Sequence, residues 1–528
     1  MDSRSGRPRV VVVGAGPGGL AAAVLLQARG VDVTVLERQE SIGGRTSRVT
    51  VGEYGFDLGP TFFLMPHVLQ EVFRVAGRDL FEEVDLRRLD PMYRLVIGRP
   101  GAADVTIDAT QDPDEMARRL GAVHAPDGEA FARFTAHNRR KLAAAEPILR
   151  RPIRSALDLV RPDAVRALPY INPHRTVHDL NSRYFTDPAV RLAVGFQSKY
   201  LGMSPMDCPS LFTILPFIEY EYGVWHPIGG CHALMRALAR VLIDLGGTIR
   251  TGAEVAGLDL DGRRVVGVSL ADGERVACEH AVINADATWA MKRLIPERLR
   301  GRETDAEIDN RKFSCSTYML YLGVEGAVDL PHHTIRTSPE YEQNLEDISR
   351  ERGRAGTLTP DPSFYVCNAS ATDATLAPEG HSSVSVLMPT PTGRAPIDWA
   401  GEDGRVRALL LDRMKRVLGV DLSGRIRAER RITPDDWRAM NITHGATFNL
   451  AHSLDQMLHR RPKHRLPYVD GAWLVGGGTH PGSGLPVIFL SSQITGGMIL
   501  DELGLESGFE PISVAQASAD ARLELQHA

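Results

Sequence analysis

The clearest pattern of hydrophobic and polar positions lies near the N-terminal end of the chain. Residues 10–13 are a short β-branched apolar run, which is typical of a buried parallel strand. A glycine-rich turn follows, and residues 20–29 then predict a helix with Gly30 as its C-cap. A second apolar run at 32–36 predicts another strand. The order is therefore strand, glycine-rich turn, helix and strand.

The glycine-rich turn, from Gly14 to Gly19, carries the first candidate chemistry. Gly14 allows a tight turn, Gly16 lets the backbone approach a pyrophosphate, and Gly19 lets the helix pack closely on the strand. The helix N-terminus supplies free N–H groups for phosphates. Glu37 follows the second strand, where a carboxylate accepts hydrogen bonds from a ribose diol and disfavours a 2′-phosphate. This context predicts a dinucleotide site, whereas the glycine motif alone would be weak evidence.

Two glycine-containing segments after the second strand favour FAD over NAD. They are residues 41–46 and 55–61, in which small residues admit close approach of the backbone to a ligand. Arg45 can reach a phosphate as a charge-assisted donor. Near the other end of the chain, the apolar run 472–475 is followed by a glycine-rich loop and a helix that begins near Leu485. The N–H dipoles of that helix are expected to face the flavin N1 and C2 carbonyl, where negative charge develops on reduction.

Composition and charge narrow the function further. The net charge is -5 and the sequence pI is about 6.4, which gives no support for a nucleic-acid partner. The five cysteines form no CxxC pair and the histidines show no metal-ligand spacing, so we expect no metal and a reducing, cytoplasmic setting. No run reaches the roughly 18 apolar residues that span a bilayer. We find no second complete dinucleotide motif, so electrons are expected to pass from substrate to flavin and then to oxygen or a quinone.

The nucleotide signals fall in three separate segments, which predicts an α/β fold with a discontinuous Rossmann-type FAD-binding domain and an inserted α+β substrate domain. The FAD-binding domain is expected to comprise residues 1–95, 225–300 and 465–510. The insert is expected to face substrate and membrane and to comprise residues 96–224 and 301–464. The last residues, 511–528, look like a polar, poorly ordered tail.

Across most of its length the chain resembles the bacterial-type phytoene desaturase family, the carotenoid desaturases within the amine-oxidase-like flavoproteins. The closing segment 473–486, Trp-Leu-Val-Gly-Gly-Gly-Thr-His-Pro-Gly-Ser-Gly-Leu-Pro, is the most specific match. After Pro486 the chain has Val-Ile-Phe-Leu, which is bulkier than the common members of the family, so the pocket is expected to differ there. The other matching segments are 200–205, 219–225, 227–230, 372–373, 377–381 and 445–448.

The resemblance implies an FAD-dependent enzyme that desaturates a C30 or C40 polyene. It also implies that the backbone at Val255 contacts the adenine and that the strand ending at Asn284 returns to the cofactor. The complete set of expected FAD-binding residues is Gly14, Gly16, Gly18, Gly19, Glu37, Arg38, Gly44, Arg45, Gly59, Pro60, Thr61, Val255, Asn284, Gly478, Thr479, Leu485, Pro486 and Val487.

Desaturation requires few side chains that react directly, because the flavin carries the chemistry: a hydride is transferred to flavin N5 and a proton leaves the adjacent carbon. No catalytic base is assigned, although Glu219 and Glu221 are candidates because acids flank aromatic residues there. Aromatic side chains are expected to line a tunnel and to stabilise a delocalised cation, with ordinary core packing as the alternative. The aromatic candidates are Phe62, Phe63, Tyr200, Phe212, Phe217 and Tyr220.

Several alternatives stay open. Sister activities of the same family are a carotenoid terminal oxygenase, a hydroxysqualene-type dehydroxylase and a polyene isomerase or saturase. A non-catalytic, FAD-containing polyene carrier belongs to another class, and an amine oxidase is disfavoured by the specific motifs.

Because the expected substrate dissolves in the bilayer, peripheral association with a membrane surface is also expected. Prolines 147, 152 and 162 are expected to break segment 141–168 into short helical pieces. The candidate rim of a membrane contact combines Arg139, Arg140, Arg150, Arg151 and Arg154 with Leu142, Ile148, Leu149 and Ile153, and a solvated helix face is its alternative.

Overall fold

Five parallel strands form the sheet that carries the predicted dinucleotide site in this computed structural model, which describes residues 6–349 and 358–527. The strand order across the sheet is Ala472–Leu474, His280–Ile283, Arg9–Val13, Asp32–Leu36 and Thr248–Arg250. Neighbours in the sheet are therefore drawn from distant parts of the sequence. Since all five strands are parallel, their carboxyl ends meet at one edge, where ligands bind in open α/β sheets.

The helix Pro17–Gln27 follows the first strand and is buried along its whole length. It packs against the helices His232–Asp244 and Leu485–Glu502. Its sequence, Pro-Gly-Gly-Leu-Ala-Ala-Ala-Val-Leu-Leu-Gln, is apolar on every face, as expected for a helix that is surrounded by protein. The first and last nucleotide segments of the chain are thereby joined through one core.

A second sheet has seven strands and belongs to the other half of the molecule. Its order is Ile426–Ile432, Ser316–Glu325, His381–Thr390, Phe364–Asn368, His333–Thr337, Tyr93–Arg99 and Ala102–Ala109. His333–Thr337 runs parallel to Tyr93–Arg99, and the other neighbours are antiparallel. Long antiparallel strands with buried faces make this sheet a rigid wall for the space between the two halves.

The remaining strands form three small sheets. Val255–Asp261, Arg264–Leu270 and Arg275–Ala277 make a three-stranded sheet, Arg48–Val51 pairs with Tyr54–Asp57, and Leu86–Arg88 pairs with Trp225–Pro227. The other helices are Pro66–Val75, Leu80–Glu83, Pro113–Val123, Ala125–Leu149, Pro162–Ile171, Val177–Asn181, Pro188–Ala193, Ile214–Tyr222, Ala287–Leu294, Asp305–Asp309, Tyr341–Ser349, Trp399–Leu418, Pro434–Ala439 and Val514–His527. No helix within the described ranges is long and apolar enough to cross a bilayer.

The expected α/β fold class is confirmed, and the five-stranded sheet takes its strands from the three segments that the sequence assigned to the FAD-binding domain. The exact domain boundaries stay a prediction. Residues 248–255 contain the strand Thr248–Arg250 and the first residue of the strand Val255–Asp261. Pro147 does not break its helix, which runs from Ala125 to Leu149.

The expectation of a poorly ordered tail at 511–528 is wrong. Val514–His527 is a helix, and Ile512, Val514 and Ala517 are buried in a cluster with side chains of the helices Ala125–Leu149 and Ile214–Tyr222. The segment is polar overall, yet burial of these few apolar residues is enough to dock it. The stabilising contacts come from positions more than 290 residues earlier, such as Phe217.

Candidate functional site

A cavity of about 740 Å³ lies between the carboxyl edge of the five-stranded sheet and the seven-stranded sheet. Its nucleotide side is formed by the glycine-rich turn after Val13, by the segments 36–49 and 58–65, and by the start of the helix Leu485–Glu502. Its other side is formed by segment 196–204 and by residues of the seven-stranded sheet such as Ile335 and Leu387.

The glycine-rich turn is packed so tightly that side chains are excluded from it. Gly14 has a φ of 99° and its N–H donates to the carbonyl of Leu36 over 2.7 Å. A Cβ on Gly16 would lie 2.8 Å from Asn284 Nδ2, and a Cβ on Gly18 would lie 2.8 Å from Asn284 Oδ1. The Asn284 amide also donates to the carbonyl of Gly14 over 3.1 Å. Asn284 therefore braces the turn from the neighbouring strand.

Two helices begin at the cavity without any side-chain cap. Gly16 is the N-cap of Pro17–Gln27, and Gly484 is the N-cap of Leu485–Glu502. Neither helix has an acidic residue in its first turn, so no carboxylate neutralises the positive end of the helix dipole. The free N–H groups of both first turns stay available to a ligand. A glycine-rich turn and two uncapped helix starts facing one cavity fit a pyrophosphate and an electron-accepting ring.

The Glu37 carboxylate is held at the end of the strand Asp32–Leu36 and is 6% exposed. It accepts hydrogen bonds from the backbone N–H groups of Ala15 over 2.8 Å and of Gln39 over 2.9 Å. Arg45, in the same segment, is anchored to residues 447–449, where it donates to the Thr447 carbonyl over 2.8 Å and to Asn449 Oδ1 over 3.1 Å. Burial lowers the pKa of Arg45, and its charge remains at the cavity wall.

Most of the residues that the sequence assigned to FAD line the cavity together. Those that line it are Gly14, Gly16, Glu37, Arg38, Gly44, Arg45, Gly59, Pro60, Thr61, Val255, Asn284, Leu485, Pro486 and Val487. Gly18, Gly19, Gly478 and Thr479 lie beside it instead. A Cβ on Gly19 would collide with the Gly14 carbonyl, and Gly478 packs on Ala287, so these glycines serve the close packing of the loops.

Arg461 was not found by sequence analysis, although it fixes the loop that precedes the closing helix. Its guanidinium is 2% exposed and donates to the carbonyls of Gly477, Thr479, Leu450 and Ala451 at 2.9 to 3.3 Å. Burial lowers its pKa to about 9. A scattered arginine gives no sequence signal, because its partners are backbone carbonyls that any sequence provides.

Phe62 lies at the centre of the aromatic wall of the cavity. Its ring stacks on His333 at 4.0 Å and contacts Tyr200 at 5.4 Å and Tyr365 at 5.8 Å between centroids. Phe62, Tyr200 and Tyr365 line the cavity. Of the six aromatic residues expected to line a tunnel, only Phe62 and Tyr200 do so. The other four pack into surrounding structure: Phe63, Phe217 and Tyr220 are buried in core clusters, and Phe212 packs beside Met203 and His452.

The two candidate bases have different environments. Glu221 is ion-paired with Arg139 at 2.7 Å, which gives it a structural role. Glu219 is fully buried behind Tyr200, and its carboxylate accepts hydrogen bonds from the Tyr93 hydroxyl at 2.8 Å and from Gln197 at 3.0 Å. Burial raises the pKa of Glu219 to about 7. Burial, and then the charge of Glu219, raise the pKa of the Tyr200 phenol well above its ordinary value.

Hydroxyl and imidazole groups form a hydrogen-bonded chain next to Phe62, and His333, which stacks on the Phe62 ring, is part of it. The Tyr365 hydroxyl lies 2.7 Å from Thr61 Oγ1 and 2.7 Å from His333 Nδ1. His332, His333 and Cys367 have ligand-type atoms within 4.8 Å of one another, an arrangement that histidine spacing in the sequence did not indicate. The expectation that the chain holds no metal therefore stays a prediction.

Comparison with known proteins identifies the class of this site. Residues 17–487 match the model of the flavin containing amine oxidoreductase family, so the chain belongs to that family. Its cofactor is FAD, and the expectation of an FAD-dependent oxidoreductase is confirmed.

Curated relatives agree with the resemblance seen in the motifs. The chain is 38% identical over 492 residues to a 4,4'-diapophytoene desaturase (4,4'-diapolycopene-forming) of Methylomonas sp, covering 93% of this chain and 94% of that protein. It is 37% identical over 513 residues to an all-trans-zeta-carotene desaturase of Myxococcus xanthus, covering 96% of each. The resemblance to carotenoid desaturases is thereby confirmed.

Solved structures share the fold at low sequence identity. An oxidoreductase from Methanosarcina mazei superposes with a TM-score of 0.63 at 16% identity, covering 94% of this chain and all of that one. A putrescine oxidase superposes with a TM-score of 0.59 at 15% identity, covering 94% of this chain and 99% of that one. These likenesses support the fold and carry no information on substrate.

The tight packing of the turn yields a test of the cofactor site. Gly16→Val should abolish FAD binding, because its side chain would enter the space held by Asn284 and by the approaching pyrophosphate. Absorbance of the purified protein near the flavin maxima should fall at least ~10-fold per chain. Gly404→Val is the matched control, since a Cβ there meets nothing within 4 Å. Full flavin absorbance in Gly16→Val would place the site elsewhere.

Proposed function

We propose that this protein is an FAD-dependent carotenoid desaturase that acts on a C30 or C40 polyene such as 4,4'-diapophytoene or phytoene. The observation that carries the proposal is a single cavity in which the nucleotide cradle continues into an apolar space. That space is lined by side chains such as Phe62, Met203, Leu215, Ile218 and Ile348. The names of the curated relatives support this substrate class.

The residues of the chain supply orientation, a dry site and a place for the proton. When bound, FAD accepts the hydride that leaves the polyene. The uncapped start of the helix Leu485–Glu502 aims N–H dipoles at the cavity, where they stabilise developing negative charge. Phe62 and Tyr200 present their rings to the same space, where they stabilise positive charge on a polyene. Glu219 lies behind Tyr200 and does not line the cavity, so the proposed route has two coupled transfers: the Tyr200 hydroxyl takes the proton from the polyene and gives its own proton to the Glu219 carboxylate.

Product analysis tests this function directly. In cells that accumulate 4,4'-diapophytoene or phytoene, expression of the protein should convert the colourless polyene into pigments with absorption at longer wavelength. The Gly16→Val variant should give no pigment. An unchanged polyene spectrum, despite accumulation of FAD-loaded protein, would support a non-catalytic carrier. Products that carry oxygen would support a terminal oxygenase, and shifted double bonds without loss of hydrogen would support an isomerase.

The proposed electron acceptor is oxygen or a quinone. This proposal rests on the sequence, in which one complete strand, glycine turn, helix and acid unit accounts for one dinucleotide. Anaerobic mixing with the polyene should bleach the flavin absorbance, and a soluble quinone should restore it. A strict requirement of the first step for NADPH would contradict the proposal.

The buried Glu219 predicts a specific pH dependence. With its pKa raised to about 7, Glu219 is protonated and cannot take up a proton below that pH, so the desaturation rate should rise as the pH increases and level off above about 7. Glu219→Gln should lower the rate by ~10²-fold and remove this limb of the profile. Loss of packing alone would lower the rate and leave the limb in place, so the pH profile separates the two roles.

We also propose that the protein docks peripherally on a membrane, on a surface different from the rim expected from sequence. Leu142, Ile148 and Ile153 are buried, while Arg150 pairs with Glu71. Apolar side chains are exposed slightly further along the chain, in the helix Pro162–Ile171 and the turn before it. They are Leu157 (77%), Val160 (69%), Val165 (48%), Leu168 (51%) and Tyr170 (36%), and the exposed Arg154, Arg161 and Arg166 accompany them.

Vesicle flotation tests this surface. Wild type should float with vesicles that contain phosphatidylglycerol, because apolar side chains flanked by arginines bind anionic interfaces. Leu157→Asp combined with Leu168→Asp should reduce the floating fraction several-fold, at least ~5-fold. Ile243→Asp is the matched control, since Ile243 is 57% exposed and lies outside the patch. Wild type that stays in the soluble fraction with both anionic and neutral vesicles would overturn the docking proposal.

A further inference from the structure

Lys199 places a positive charge in the wall of the apolar part of the cavity. It lies in the 3-10 helix Phe196–Leu201 and lines the same cavity as Leu201, Cys315 and Ile348. Its ammonium nitrogen is buried and has no hydrogen-bond or ion-pair partner among the residues that the structure describes. Burial lowers the pKa of Lys199 to about 8.

The surroundings of Lys199 contain a second unpartnered polar group. The ammonium nitrogen lies 4.8 Å from the ring centroid of Tyr341, whose own hydroxyl is buried and has no hydrogen-bond partner. Tyr341 begins the helix Tyr341–Ser349, which also contributes Leu345 and Ile348 to the cavity wall. Lys199 is therefore the buried donor in the cavity wall, and Tyr341 packs against it from behind that wall.

A pure hydrocarbon does not satisfy these groups. A buried ammonium without hydrogen bonds is unfavourable, since it has lost its hydration and gained no acceptor, and the face of one aromatic ring replaces little of that loss. Other buried cations of this chain do have acceptors. Lys141 donates to Ser210 O and Thr213 Oγ1, and Arg461 donates to four carbonyls. Lys199 therefore differs from the buried lysine and arginine that serve packing.

We propose that Lys199, with Tyr341 beside it, forms a subsite for an oxygen atom at one end of an isoprenoid or polyene ligand. The ligand class is a long apolar chain that ends in a carboxylate, an aldehyde or a hydroxyl. The inference rests on the proposed function, because it takes the apolar part of the cavity as the place where a polyene binds. It extends that function from hydrocarbon polyenes to chains with an oxygenated end.

Binding of three C20 probes to the FAD-loaded protein tests the subsite. Geranylgeranoic acid, geranylgeraniol and the hydrocarbon with the same branched chain differ only at the terminus. Titrations at one detergent concentration, followed by the change in the flavin spectrum, give the three dissociation constants. The wild type should bind the acid at least ~10-fold more tightly than the hydrocarbon, with the alcohol between them, because a charge-assisted hydrogen bond forms only with the oxygenated chains.

Two variants assign that preference to the subsite. Lys199→Met should bring the ratio of acid to hydrocarbon affinity close to one. Lys312→Met is the matched control, since Lys312 is exposed and paired with Asp455 outside the cavity, and it should keep the wild-type ratio. Equal affinities in the wild type, or equal loss of the preference in both variants, would overturn the subsite. Loss of FAD from Lys199→Met would also overturn it, because Lys199 would then serve the cofactor.

The outcome is separable from that of the proposed function. Pigment formation from a hydrocarbon polyene is measured without these probes. A protein that makes pigment but shows no preference for the acid keeps its desaturase function and loses the oxygen subsite. A protein that prefers the acid but makes no pigment keeps the subsite and loses the desaturase function.

Discussion

The structure depends on a glycine-rich turn that leaves no room for a Cβ at its glycines. The turn from Gly14 to Gly19 lies against Asn284 at the carboxyl edge of the parallel sheet, with its amide filling the space that a Cβ would need. Two helices without side-chain caps begin at the same edge and open to the cavity. The charge of Arg461 fixes the closing loop in the same way, through backbone carbonyls. The cavity begins at that edge, so the position of any ligand in it depends on this contact.

The sequence predicted the parts of the fold that are specified locally. The strand Asp32–Leu36 has the bounds that the apolar run indicated, and the glycine turn, Glu37 and the start of the closing helix lie at one cavity as expected. Helix limits were less accurate, since Pro17–Gln27 begins three residues before the predicted start. Glycine spacing and short apolar runs are patterns of a few residues, so a single sequence is enough to find them.

The features that the sequence did not predict are set by contacts between distant segments. The sequence of Val514–His527 is polar, and nothing in it indicates an ordered helix. The helix is stabilised by side chains near residues 142 and 217, which are distant in the sequence. Pro147 stays inside its helix, whose buried side chains such as Leu142 and Ile148 pack on either side of it, and this packing outweighs the loss of one hydrogen bond. Lys199 and Arg461 acquire their properties from burial alone. No spacing rule identifies a lysine that will lack an acceptor, since that depends on every element around it.

The order of the strands in the nucleotide-binding sheet has a consequence for how the chain is made. The edge strand Ala472–Leu474 pairs with His280–Ile283, and the helix Leu485–Glu502 packs on the helix Pro17–Gln27. The strand Arg9–Val13 and the helix Pro17–Gln27 are therefore synthesised long before the strand Ala472–Leu474 and the helix Leu485–Glu502 that complete their core. Until those later segments are made, part of the apolar surface of this core stays exposed, and such exposure favours aggregation. Production of this protein in a foreign host should thus be limited by chaperone supply and growth temperature more than by the stability of the finished fold.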